Sequence, residues 1–590
     1  MDFSRTLALG VGIACLLPSC DVHAQQKFAL QLFHFNVQYV CGGTLGYYPT
    51  PQPELELDND TIEDRIITES LAPIVELFEG HSAWGVDLEM QAYMLDVIAE
   101  RHPALLDTMR TMAQAGQIDI VSFHYADQLF IGYPQEDWER SQTLTAATFE
   151  KHGVPLSRTV FCQEGQAGMA MAQRMGERGY RNMVWPKNLW IYQHGDFQAE
   201  PLYEFGDDAF LVAGAMGVNY DDGNTAVQVS WTFLDDGELL ATGDLNPYFP
   251  ELFYVDEEAV AEYEDKLLAL EDQGYLISTV DQYVEAIKDD VAIATPPPLL
   301  DGTWQPDSTE GVKRWMGGHG IYRAQERDNN VRTLGMVAHR ELVAAETIAA
   351  EAGVDAPDEL NAAWRMLFLG QVTDASGINP FRGEIEYGIS HLSEATRIAR
   401  DVIVRSKETL GLQSVLIGDD VTANGAAPFA GQASAAPLTP TIEGFDRPVT
   451  EQWRRVTNDH HVVTIDFGPG DFANVEVIFP GKLEDALTLT LALDDATPFT
   501  LERSDFSFDH FHFALPAGLI GLGGDRYLIK DMAAVHLAAE ISRDSGDIRF
   551  ADDTVPVGEA QQWVFHVFDG SAENAVALAR RINARRGVVR

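Results

Sequence analysis

Cysteine is scarce in this chain: four occur in 590 residues, and two of them, Cys15 and Cys20, fall in an N-terminal stretch of leader character. Cys41 and Cys162 remain, too few for a disulfide framework or a thiolate zinc site. They could pair if both sit at neighbouring strand ends; ordinary buried thiols are the equal alternative. Basic residues are also short, 40 against 91 acidic ones, for a net charge of −51. A surface this acidic repels phosphate backbones, so a nucleic-acid partner is not expected, and solubility in a salty medium is the plain reading. Long hydrophobic runs are missing too. Residues 7–17, after Arg5, fall short of the roughly 20 apolar residues that cross a bilayer core. They fit a signal peptide cleaved after Ala24. Leu17-Pro18-Ser19-Cys20 is an imperfect lipoprotein box, so lipid anchoring at Cys20 is the second outcome. No later run is long enough to span a membrane, and the expectation is an exported, soluble protein. The remaining composition, 46% hydrophobic and 22% charged, is ordinary for a globular chain.

What is present has a clear order. Between residues 27 and 290, short apolar runs alternate with helical spacing. Strands are predicted at 28–33, 118–123, 159–162, 183–185, 227–233 and 275–279. Helices are predicted at 58–79, 90–115, 138–151, up to 178, and 257–273. Such alternation implies an α/β fold with a parallel sheet and crossover helices, and its pace suggests a barrel, complete or slightly open. Pro296-Pro297-Pro298 breaks the pattern. Helical spacing then fills 330–351, 359–368 and 384–410. An Ala/Pro/Gly-rich stretch reads as linker, and beyond it the period falls to two, at 487–493, 506–508 and 563–567, as in a β-sandwich. A closing helix is predicted at 572–585. The expected domains are a signal peptide (1–24), a barrel (25–295), a helical domain (296–423), a linker (424–447) and a C-terminal β-sandwich (448–590).

In a parallel barrel, reactive groups gather where strands end, because the C-terminal ends share one open face. That rule selects His34 and Asn36, then His124 and Asp127, then Glu164, and then Asp235, Asp236 and Glu238. Glu164 follows Phe161-Cys162-Gln163 directly, with no helical period to explain it; a first-turn acid for the next helix is the alternative. Asp235-Asp236-Gly237 is also turn chemistry. Two carboxylates on separate strands are what glycosidic bond cleavage requires, one attacking or stabilising the anomeric centre and one protonating the departing oxygen. Aromatics such as Trp185 suit a sugar ring. A metal held by His34, Asn36, His124 and Asp127 is the competing reading. Asn is a poor zinc ligand, and no His-x-x-x-His spacing appears at these strand ends, as a polysaccharide deacetylase would need.

These residues resemble the clan of glycoside hydrolases that contains families 57 and 38, whose catalytic domain is a (β/α)7 barrel followed by helical and β-rich domains. The likeness runs over about residues 27–400. Phe161-Cys162-Gln163-Glu164 is similar to the family 57 nucleophile segment, and Asp235-Asp236-Gly237-Glu238 to its acid/base segment. Residues 116–127 are similar to the segment leading to the third strand end. Of the first-strand His-Gln-Pro motif, His34-Phe35-Asn36 keeps the His alone. The segment Gln371-Val372-Thr373-Asp374, after Trp364-Arg365, resembles the family 38 helical domain. Where that family has a zinc-binding His and Asp, this chain has Thr373 and Asn36. The resemblance implies an exported retaining glycosidase or transglycosylase on α-linked oligo- or polysaccharides. Glu164 is then the nucleophile and Asp236 the acid/base. His34, His124, Asp127, Trp185, Asp235, Glu238 and Asp374 are the expected sugar contacts. No cofactor or metal is expected. The alternatives are a zinc-dependent α-mannosidase-like member of the clan and a non-catalytic carbohydrate-binding protein on a degenerate barrel.

Overall fold

A computed structural model describes residues 26–38, 41, 57–195, 200–206, 209–214, 219–220, 227–238, 254–303, 328–373, 382–412, 415–417, 432–444, 448–469, 473–482, 484–505, 510–531, 538–555, 561–583 and 587–589. The leader, the box at Cys20, the predicted strand 506–508 and Asp374 lie outside these residues.

Ten strands build the N-terminal half: β1 (Gln26–Phe35), β2 (Val86–Met90), β3 (Ile118–Val121), β4 (Thr159–Val160), β5 (Asn182–Pro186), β6 (Tyr203–Glu204), β7 (Phe210–Gly214), β8 (Asn219–Tyr220), β9 (Val227–Asp236) and β10 (Leu276–Ser278). One sheet runs β3-β2-β1-β9-β8, with β10 also on β1, and a second runs β4-β5-β7-β6. All pairings are parallel except β6 on β7 and β8 on β9. Period-two alternation sorts β1 into two faces. Phe28, Leu30 and Leu32 join a core with Val121, Val160, Phe161, Met183, Trp185, Leu211 and Trp231 from both sheets. Ala29, Phe33 and Phe35 pack outward on helices through Ile62, Phe78, Leu95 and Ile98. The two sheets therefore share one interior. Among the described residues no strand pairing joins β3 to β4 or β7 to β9, so the hydrogen-bonded wall is two arcs, compatible with the slightly open form of the expected barrel. β3 and β4 span only 4 and 2 residues, too little to carry a ladder across the gap.

Local signals set the helix ends. Asp58 accepts the Thr61 N–H (2.9 Å) and starts one helix, and Asp256 caps another. Thr279 and Gln282 form a reciprocal capping box. The helix expected over 90–115 is two, Ala92–Arg101 and Pro103–Gln114, since Pro103 removes a donor and suits only a helix start. Its first residue belongs instead to β2, a strand the sequence pattern did not disclose.

Helices Asp328–Ala352, Pro357–Gly370 and Arg382–Leu410 pack together through Leu342, Ile348, Leu367, Leu392 and Ala399. Their domain docks on the loop after β3: Leu129 N–H donates to Gln371 O (3.0 Å), and Thr373 N–H donates to Asp127 O (2.7 Å). The C-terminal half is two antiparallel sheets of eight and five strands, with Phe467, Phe479, Phe550, Trp563 and Phe565 between them. Helix Ala572–Asn583 closes it over Tyr527 and Ile529. Within the expected linker, Gln432–Ala433 and Thr441–Gly444 are strands of these sheets. The latter alternates Thr, Ile and Glu, and that period outweighs its Pro-rich surroundings. Among the described residues, no helix is long and apolar enough to cross a membrane.

Candidate active site

The C-terminal ends of β2, β1 and β9 lie side by side. Strand register sets Glu89 opposite His34 and His34 opposite Asp236. Cross-strand partners share a face, so all three side chains point into the interior that Leu32 and Leu30 also line. Glu89 and His34 form a fully buried ion pair through Oε2 and Nδ1. The His34 ring stands edge-on to Phe161, 6.4 Å between centroids, which brings the end of β4 against this row.

Electrostatics follow from burial among acids. Burial alone would lower the His34 pKa. The charge and hydrogen bond of Glu89, with the charges of Asp127 and Asp236, outweigh it and hold the ring well above the usual histidine range. Burial raises Glu89, partly offset by His34. Asp236 is pushed up by burial, pulled down by His34 and pushed up again by Asp235 and Glu89, reaching about 6. Glu238 rises to about 8 through burial and the Asp236 charge, although its Oε1 accepts the Asn36 backbone N–H at 3.0 Å. His124 is wholly buried and falls to about 3, through burial and the His34 cation, so it is neutral. Its Nδ1 lies 3.5 Å from Asp127 Oδ1. Burial and the charges of Glu89 and Asp127 raise the Cys162 thiol well above its usual range, and neither Cys162 nor Cys41 is in a disulfide.

Glu164 lies on a tight turn four residues past β4. Its backbone is left-handed, φ 57° and ψ 20°, and Gly165 follows at φ 54°. A non-glycine residue there costs about 1 kcal/mol or more, and such strain collects at functional sites. The turn is tied down on both sides. Gly165 N–H donates to Cys162 O (2.8 Å), Gln166 Nε2 donates to Gln128 O (2.9 Å), and Ala167 exchanges two hydrogen bonds with Gly302. The Gln166 bond links the Glu164 turn to the loop that carries Asp127.

The structure thus brings His34, His124, Asp127, Asp236 and Glu238 into one electrostatic group, with Asp236 half-buried and the others buried. Asp235 differs: it sits opposite Phe33 and so takes the helix-facing side of β9, where its Oδ1 accepts the Asp236 N–H (3.0 Å). Trp185, at the end of β5, is fully buried and stands edge-on to Phe205 at 5.8 Å. Glu89 is the residue that the sequence reading missed. The available signal was Val86-Asp87-Leu88-Glu89-Met90 after Gly85, a period-two run whose polar members face the barrel interior.

No family model matches the sequence, and no curated protein matches it either. Solved structures do. An alpha-mannosidase from Enterococcus faecalis V583 is 11% identical, with 96% of this chain and 90% of that chain covered, at a TM-score of 0.60. A protein in the glycosyl hydrolase family 38 from Enterococcus faecalis, also 11% identical, covers 96% and 89% at a TM-score of 0.56. This chain shares the fold of these two structures. A 4-alpha-glucanotransferase from Thermococcus litoralis is a looser likeness, 11% identical over 92% of this chain, at a TM-score of 0.44.

The family 38 resemblance raises a zinc ion, and the donor set here does not fit one. Asn36 Oδ1 already accepts from Gln91 Nε2 (2.6 Å) and from the Gln38 N–H (2.8 Å). Thr373 offers only a hydroxyl. Among the described residues, no group of three or more His, Cys, Asp or Glu side chains is arranged to hold a metal ion.

Proposed function

We propose that the protein is an exported retaining glycoside hydrolase or transglycosylase acting on α-linked oligo- or polysaccharides. The observation that carries the reading is Asp236. A half-buried carboxyl raised to about 6 beside a row of charged groups at the strand ends can hold a proton near neutrality and give it up. Glu164, on the strained turn at the end of a neighbouring arc, is the second carboxylate.

In the first step, Glu164 attacks the anomeric carbon as Asp236 protonates the glycosidic oxygen; the C–O bond breaks and a glycosyl ester forms on Glu164. In the second, Asp236 takes a proton from water or an acceptor hydroxyl, whose oxygen displaces Glu164. Two inversions restore the α configuration. His34, His124, Asp127, Trp185, Glu238 and Asp374 are the proposed sugar contacts, with Asp235 a more distant supporter through the Asp236 backbone.

A panel of aryl α-glycosides and α-linked oligosaccharides, followed by NMR of the anomer first released, tests this. Release of the α-anomer by the wild-type protein, with loss of release in Glu164→Gln, is expected. Sugar binding without any product overturns the enzymatic reading in favour of a carbohydrate-binding protein.

A further inference from the structure

The Glu89–His34 pair contributes something the two acids cannot, and this inference rests on the glycosidase reading above. We propose that Glu89 is a positioning residue that holds His34 as a buried imidazolium, whose Nε2–H donates to a hydroxyl of the sugar bound beside Asp236. The geometry comes from the strand register. Glu89 and Asp236 flank His34 on either side in one interior-facing row, and the Nδ1 contact with Glu89 orients the ring within it. Glu89 takes Nδ1, which leaves Nε2 as the free donor; Nε2 is buried and has no hydrogen-bond partner among the described residues. A buried charged donor left unmet is costly, and an incoming hydroxyl oxygen recovers that cost.

The groups facing the ring agree with a standing cation. Glu89 approaches from β2, Asp236 from β9 and Asp127 from the loop after β3, all three acidic. His124, from the same loop as Asp127, is held neutral, and Asp235 and Glu238 feel the His34 charge from the end of β9 and beyond it. The interior therefore concentrates negative charge around one histidine, and Glu89 is the member in direct contact with it.

The test is the 15N spectrum of histidine-labelled, ligand-free protein, with kinetics on the best aryl glycoside. His34 in the wild type should keep the doubly protonated signature at pH values where a free imidazole is already neutral. Glu89→Gln should convert it to the neutral one, and Glu89→Asp should retain it. Kinetically, Glu89→Gln should lower kcat/KM by about 10- to 100-fold, mainly through KM, the size of one charged hydrogen bond. A neutral His34 in the wild type, a persistent imidazolium in Glu89→Gln, or unchanged kinetics overturns the proposal. Should Glu89→Gln fail to fold, the Glu89→Asp titration decides: a lowered His34 midpoint is expected, and an unchanged one overturns it. An imidazolium in a protein that turns over no glycoside rejects the glycosidase reading, and the donor role with it, while leaving the charge pair standing.

Discussion

Asp236 stands directly opposite His34 where β9 and β1 run in parallel, so the proposed proton donor sits beside a buried cation. Burial pushes the carboxyl up, His34 pulls it down, and Asp235 and Glu89 push it up again, for a value of about 6.

A pH profile follows from that balance. As the general acid must be protonated, kcat/KM should fall as pH rises through about 6. Asp236→Asn should abolish that limb and lower kcat/KM by about 10²–10⁴-fold for natural linkages. The loss should shrink for aryl glycosides whose leaving groups need no proton. An unaltered basic limb in the variant would exclude Asp236 as the acid.

The Glu164 turn ties function to strain. Glu164→Gln should cut turnover by about 10³-fold or more with an unchanged fold. Glu164→Gly, which accepts φ 57° without a Cβ penalty, should be equally inactive yet no less stable than the wild type. Urea midpoints of the two variants compare them directly. A clearly destabilised Glu164→Gly would mean that the left-handed backbone carries no cost.

Below the active row lies a second pair of interior acids. Asp87 and Asp119 face each other across β2 and β3. Burial, then the Asp119 charge, raises Asp87 well above the carboxylate range; burial, then Asp281, raises Asp119 to about 6. The folded protein therefore keeps protons that the unfolded chain releases above about pH 4. Stability from this pair is present at low pH and declines as pH climbs from about 4 through 6 and beyond. Asp87→Asn should flatten that decline, so that the variant gains stability relative to the wild type between pH 5 and pH 8. Parallel stability curves for wild type and variant would contradict this.

Gly237 separates Asp236 from Glu238 against the ring of Phe35. A Cβ there would come within 2.4 Å of Phe35 Cζ. Gly237→Ala should cost about 1–3 kcal/mol through overpacking, and it should lower activity by shifting both carboxylates. Restored activity in Gly237→Ala/Phe35→Leu would confirm the clash as the cause.

Much of this architecture is legible in the residues. β1 and β9 announce themselves as apolar runs ending in His34 and Asp236, and the three middle helices carry unbroken helical spacing. β2 does not announce itself, because Asp87 and Glu89 place charge inside the barrel, where a parallel strand is expected to be apolar on both faces. β7 is equally quiet, with Ala213 and Gly214 at its end. The opposite side taken by Asp235 depends on a register that adjacent acids in a sequence cannot reveal. The row Glu89–His34–Asp236 needs three distant segments brought into alignment, and that alignment exists only in the folded sheet.

The most direct measurement of the central claim is covalent trapping. A panel of α-configured 5-fluoroglycosyl fluorides should leave one glycosyl group per protein, and peptide mapping should place it on Glu164. A label on Asp127 or any other carboxylate, or hydrolysis through the β-anomer with no label, would contradict it.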